Sequence, residues 1–181
     1  MTYSEKYIVE NLIKYSEEFR NYYNSERQKI QSEIIWKRDK KLRQGINFRT
    51  TQIDDKHYIY LRNVPPSPIN ASKIAHELQH IVHRSIGIPS VGFKEMKYDY
   101  LSSAINSCIH DLLVNRDIIE YEFDLYDDYL EERKESRAAL KTIIKEPTDK
   151  LELLHWAFNY ASSILDYEFM LREYDIDEDH T

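Results

Sequence analysis

Near the start of the chain, Ile8, Leu12, Tyr15 and Phe19 recur at helical spacing, and Ile30, Ile34 and Ile35 recur further on. This pattern predicts one long helix or two consecutive helices over residues 3 to about 44, an N-terminal helical segment of 1–45 that ends at Gly45. The period then changes. Ile46–Ile53 and His57–Leu61 alternate in polarity, which predicts two short strands within 46–62, joined by a turn at Asp54-Asp55-Lys56. Val64-Pro65-Pro66-Ser67-Pro68 breaks any regular element, because proline fixes φ and offers no N–H. Beyond it the helical period returns. A helix capped by Asn70 or Ser67 is expected over 70–86, stopped by Gly87 and Pro89, and another over 98–122. Two more fill 127–145 and 149–174, divided by Pro147 and opened by Thr148 or Asp149, before a frayed acidic tail, Asp175–Thr181.

Composition sharpens this picture. At 181 residues a single domain, 1–181, is expected, and with three Gly and five Pro the chain lacks the turns of an all-β sandwich. The fold class is therefore mainly α (α+β), a helical domain with a small β-hairpin or sheet preceding the 70–86 helix. The net charge of -7 argues against a protein that coats nucleic acid. Locally, Arg27–Arg49 holds eight basic residues against two acidic ones, and from Asp117 onward 19 acidic residues face seven basic ones. One cysteine, Cys108, excludes an intrachain disulfide framework and a Cys-only zinc site. The N-terminus lacks the apolar core of a secretory signal, and no stretch approaches the roughly 20 apolar residues of a membrane span. A cytoplasmic location without a membrane is the expectation.

The stretch that carries chemistry is Ile74-Ala75-His76-Glu77-Leu78-Gln79-His80-Ile81-Val82-His83. It contains His-Glu-x-x-His. Positions four apart share one face of a helix, so His76 and His80 can meet a single metal ion, and Glu77 beside them stays placed to take a proton from water on that ion. Ile74, Leu78, Ile81 and Val82 form an apolar back, with His76, His80 and His83 opposite. The preceding strand pair suits a site where an extended peptide lies against a sheet edge.

Over about ten residues the segment resembles the active-site helix of zincin metallopeptidases, in which the two His bind zinc and the Glu is the general base. It lacks the metzincin extension, with His at 83 in place of Gly and Ile at 86 in place of a third ligand. The resemblance implies a third protein ligand on a later helix. Asp111 is the first candidate, on a face shared by Ala104, Ser107, Cys108 and Asn115, small or polar residues that let a second helix come close. Asn115 would orient an imidazole by a hydrogen bond from outside the metal's ligand set. Asp111 and Asn115 are similar to the acid ligand and downstream acid of gluzincins, with Asp and Asn where those have Glu and Asp; an aspzincin-like subgroup is the other option. Glu95, with Asp99, matches the gluzincin residue types but lies only 15 residues past His80. His110 is a further alternative, about 100° around the helix from Asp111.

Tyr98, Tyr100, Tyr160 or His155 could donate to a developing oxyanion, although packing at the core boundary explains such residues as well. Arg116 is expected to pair with nearby acids. The reading that follows is a zinc-dependent metallopeptidase: Zn2+ on His76, His80 and Asp111, Glu77 as base, and a peptide or protein as substrate. The alternative is a noncatalytic helical interaction module, or a zinc-binding pseudoenzyme, that contacts nucleic acid or an acidic partner through Arg27–Arg49.

Overall fold

In the computed structural model, which describes residues 1–42, 48–127, 130, 134 and 149–174, two serines shape the N-terminal helices. Ser4 caps α1 (Glu5–Tyr15) by accepting the Tyr7 N–H at 3.3 Å. Ser16 closes α1 with its own N–H on the Leu12 carbonyl, then opens α2 (Glu17–Glu26) by accepting the Phe19 N–H at 3.0 Å. Helix gives way to a 3-10 turn at Arg27–Lys29 and then to a strand over Ile34–Arg38. The expected N-terminal helical segment is thus corrected: helix stops well short of residue 44. Ile34 and Trp36 are buried with Ile35 less so between them, a period of two that a helix would not produce.

Four strands make the sheet: β1 (Thr2–Tyr3), β2 (Ile34–Arg38), β3 (Phe48–Ile53) and β4 (Lys56–Leu61), in the order β1-β2-β4-β3. β3 and β4 form the expected hairpin. Ile53 pairs with Lys56, and Asp54 takes a left-handed φ of 53° that a short Asx side chain tolerates. β2 runs parallel to β4 and antiparallel to β1. The register sorts side chains into two faces. Trp36, Ile59 and Thr50 share one row, and Ile34, His57 and Gln52 another, on a face that buries Trp36, Ile59 and Leu61. On the opposite face Lys37 sits over the Tyr58 ring and Arg49 over Tyr60.

The helix after the proline-rich break is α3 (Ala71–Ser85), which packs on α2 and on β3. It is followed by α4 (Asp99–Ile119) and α5 (Lys150–Glu173). Asp149 caps α5, its carboxylate accepting the Leu151 and Glu152 N–H groups at 2.8 and 2.9 Å. The molecule is mainly α with a small sheet. Its contacts divide it into two compact units, Met1–Pro89 with Arg116–Phe123, and Ser90–Asn115 with the described part of Asp124–Thr181, so α4 contributes to both. Among the described residues, no helix is long and apolar enough to cross a membrane. Most of 127–145, Gly45 and the acidic tail lie outside the described residues.

Candidate metal centre

The ends of α3 follow from its flanking sequence. Pro68–Asn70 makes a 3-10 turn that leads into Ala71, with Asn70 at the cap position; neither Asn70 nor Ser67 makes a capping side-chain hydrogen bond. At the other end Gly87 takes φ 86°, the Gly87 N–H meets the Arg84 carbonyl at 3.2 Å, and the Ile88 N–H meets His83 at 2.9 Å. This paired closure needs a left-handed residue, which glycine supplies without steric cost. Ile74, Leu78, Ile81 and Val82 are buried as the apolar back of the helix. Thr50 on β3 donates its hydroxyl to the Glu77 carbonyl at 3.3 Å, which ties the outer strand of the sheet to the middle of α3.

On the front of α3 the His76 and His80 rings meet edge to face, with their Nε2 atoms 3.1 Å apart. Such a pair either shares one proton or converges on one cation. Zinc–nitrogen bonds of about 2.05 Å at a tetrahedral angle place two ligand nitrogens about 3.3 Å apart, so the pair needs little adjustment to fit an ion. Asp111 joins them: ligand atoms of His76, His80 and Asp111 all lie within 4.8 Å of one another, a group that could hold a metal ion. Among the described residues, neither Glu95 nor His110 belongs to such a group; Glu95 is exposed on the chain leading to α4, and His110 is buried.

His83 does not face outward with the other two. It lies two turns beyond His76 along nearly the same line of α3, but there the helix is covered and His83 is 0% exposed. Its Nε2–H donates to Asp117 Oδ2 at 2.7 Å. The same carboxylate oxygen accepts from Gln79 Nε2 at 3.1 Å, and Gln79 Oε1 accepts from the Tyr22 hydroxyl at 3.1 Å. Arg116 holds the other oxygen at 2.9 Å, as the expected pairing with an acid. Burial alone would raise the Asp117 pKa, but the hydrogen bonds from His83 and Arg116 outweigh it and hold the carboxyl below its usual range. Burial, and then the nearby carboxylates, push the Tyr22 phenol well above its ordinary pKa, so it remains a donor. Asp117 is absent from the residues singled out by spacing. It flanks the buried Val114 three residues on, as Asp111 flanks it three residues before, and only the fold shows which partner it takes.

Arg84 also escapes the motif, although helical spacing places it on the front, four residues past His80 and seven past Glu77. Tyr100 stacks edge-on against His155 with centroids 5.4 Å apart, and Tyr160 is exposed, so packing and exposure account for both. Cys108 is a buried free thiol, its pKa raised by burial, beside Ser162 of α5. The basic stretch is not one helix face. Arg27 pairs with Glu5 at 2.6 Å and Lys29 with Glu26 at 2.6 Å, while Lys37 and Arg38 lie on β2 and Arg49 on β3. No protein-family model, curated protein or solved structure matches the chain.

Proposed function

We propose that the chain is a zinc-dependent metallopeptidase that hydrolyses peptide bonds. The observation that carries this reading is that His76, His80 and Asp111 form a group that could hold a metal ion, with Glu77 next to His76 in the chain. Two imidazoles and one carboxylate are a donor set that would suit zinc. Zinc bound there supplies a Lewis acid that polarises a carbonyl and acidifies water. Glu77 takes the proton of the attacking water and passes it to the leaving amine. β3, the outer strand of the sheet, supports a peptide substrate, since an extended chain can add to such a strand beside α3.

Elemental analysis of the purified protein tests the metal, and a peptide-library digest tests the reaction. Wild type is expected to carry about one zinc per chain, and His80→Ala and Asp111→Ala to lose it. Glu77→Gln is expected to keep zinc and lose hydrolysis. Absence of zinc from wild type after reconstitution would overturn the site, and full turnover by a zinc-loaded Glu77→Gln would overturn the mechanism.

A further inference from the structure

Lys37 on β2, Tyr60 on β4 and Arg49 on β3 stand in one row across three strands, and Ile35, Tyr58 and Thr51 form the next. Residues of one row point to the same side of a sheet. Here it is the side away from the buried Trp36 and Ile59. The Tyr58 and Tyr60 rings lie nearly parallel, with 20° between their planes and 6.3 Å between their centroids. Lys37 Nζ sits 4.5 Å from the Tyr58 centroid, and the Arg49 guanidinium carbon 4.9 Å from that of Tyr60. Arg49 is exposed, and Lys37 and both rings are partly exposed. Among the described residues neither cation is paired with an acid, in a chain of 32 acidic and 25 basic residues. Lys56, at the hairpin turn, does have such a partner in Glu33 at 2.9 Å. The charges left unanswered on this face are therefore the two that lie on the rings.

Near-parallel rings with cations beside them match one kind of ligand. Unpaired nucleotides offer flat base faces that stack on aromatic rings, and phosphates that pair with lysine and arginine. An acidic peptide would engage the cations and leave the rings idle, and a duplex keeps its base faces inside its own stack. A cation resting on a ring at an exposed site is held weakly, so Lys37 and Arg49 can turn to phosphates as bases take the rings. We propose that the outer face of the sheet binds single-stranded nucleic acid, with bases stacked on Tyr58 and Tyr60 and phosphates held by Lys37 and Arg49. The net charge of -7 restricts this to a short local contact, because exposed charges are screened beyond about 8 Å at physiological salt. The proposal does not rest on the peptidase reading, since none of these four residues belongs to the group that could hold a metal.

Fluorescence anisotropy of the full chain over a range of salt concentrations tests this. The probes are labelled oligo-dT and oligo-rU of about twelve nucleotides, the matching duplex, an abasic deoxyribose-phosphate strand of the same length, and an oligo-glutamate peptide. At least one single strand is expected to bind about tenfold tighter than the duplex, the abasic strand and the peptide; which of the two is preferred assigns the ligand to DNA or RNA. Tyr58→Leu and Tyr60→Leu keep an apolar side chain on the sheet and should each weaken binding about fivefold or more. Should either variant unfold, the abasic strand still reads the contribution of the bases on folded wild type. Lys37→Gln and Arg49→Gln should each weaken binding and flatten its log–log salt slope by about 0.7. Lys29→Gln, in the same basic stretch but paired with Glu26, should leave it unchanged. No binding of either single strand at low salt, equal binding of the abasic strand or the peptide, tighter binding of the duplex, or an equal loss in Lys29→Gln would each overturn the proposal.

Discussion

Removing the Asp117 carboxylate tests whether the end of α4 is anchored by a polar clamp or by apolar packing alone. In Asp117→Ala, the His83 Nε2–H loses its 2.7 Å acceptor and the Gln79 amide its 3.1 Å acceptor. His83 is 0% exposed and Gln79 3%, so neither reaches water without a change of structure. A buried donor left unsatisfied costs about 1–3 kcal/mol, which bounds the pair at about 2–6 kcal/mol. Asp117 itself is 25% exposed, and water can enter the space its carboxylate leaves. The expected loss is therefore at the low end, about 2–3 kcal/mol. Asp117→Asn keeps one acceptor oxygen and should lose about half as much. Urea unfolding at pH 7 measures both through the midpoint at constant slope, and a cycle with His83→Leu isolates the pair. A loss below about 0.5 kcal/mol in Asp117→Ala, or no coupling to His83, would refute the clamp and leave the buried Ile118 as the anchor. The same depressed carboxyl sets an acid limit. Its stabilisation is complete above the unfolded value of about 3.9 and is lost as pH falls through the lower folded value.

Two further outcomes follow from the same structure. His57 resists protonation in the fold, through burial and the Arg84 charge, so stability should fall as pH drops below about 6.5 and level off once the lower folded pKa is passed. In His57→Gln the urea midpoint should change less between pH of about 7.5 and 5.5 than in wild type; an equal change in both would remove His57 from the account. Gly87→Ala should cost about 1 kcal/mol, entirely from its φ of 86°, because a Cβ there meets nothing within 4 Å; an unchanged melting temperature would contradict this.

What the sequence discloses and what it hides divide along physical lines. The span and apolar back of α3 were legible because an amphipathic period, a proline-rich entry and a glycine exit all act locally. The β3–β4 hairpin was legible for the same reason: alternation and Asp54 at the turn are local signals. β2 was not, because Ile30, Ile34 and Ile35 satisfy a helical period as readily as the edge of a short buried strand. What decides it is the parallel pairing of Ile34–Arg38 with His57–Leu61, a partner more than twenty residues away whose position no local pattern records.

The site repeats this division. His76, Glu77 and His80 stand out through spacing within one helix, and Asp111 through a face of small residues on another. His83 looked like a continuation of the same front, and what turns it into a buried, hydrogen-bonded side chain is Asp117, 34 positions on. Arg84 was available to the same spacing argument and was missed for a different reason: no motif reserves a place for it. Its Nη1 is buried without an acceptor among the described residues, and Glu77 is the acid whose charge acts on it. For His83 and Gln79 the fold answers the Nε2 and the side-chain amide through Asp117, while the His83 Nδ1 is buried without a partner among the described residues.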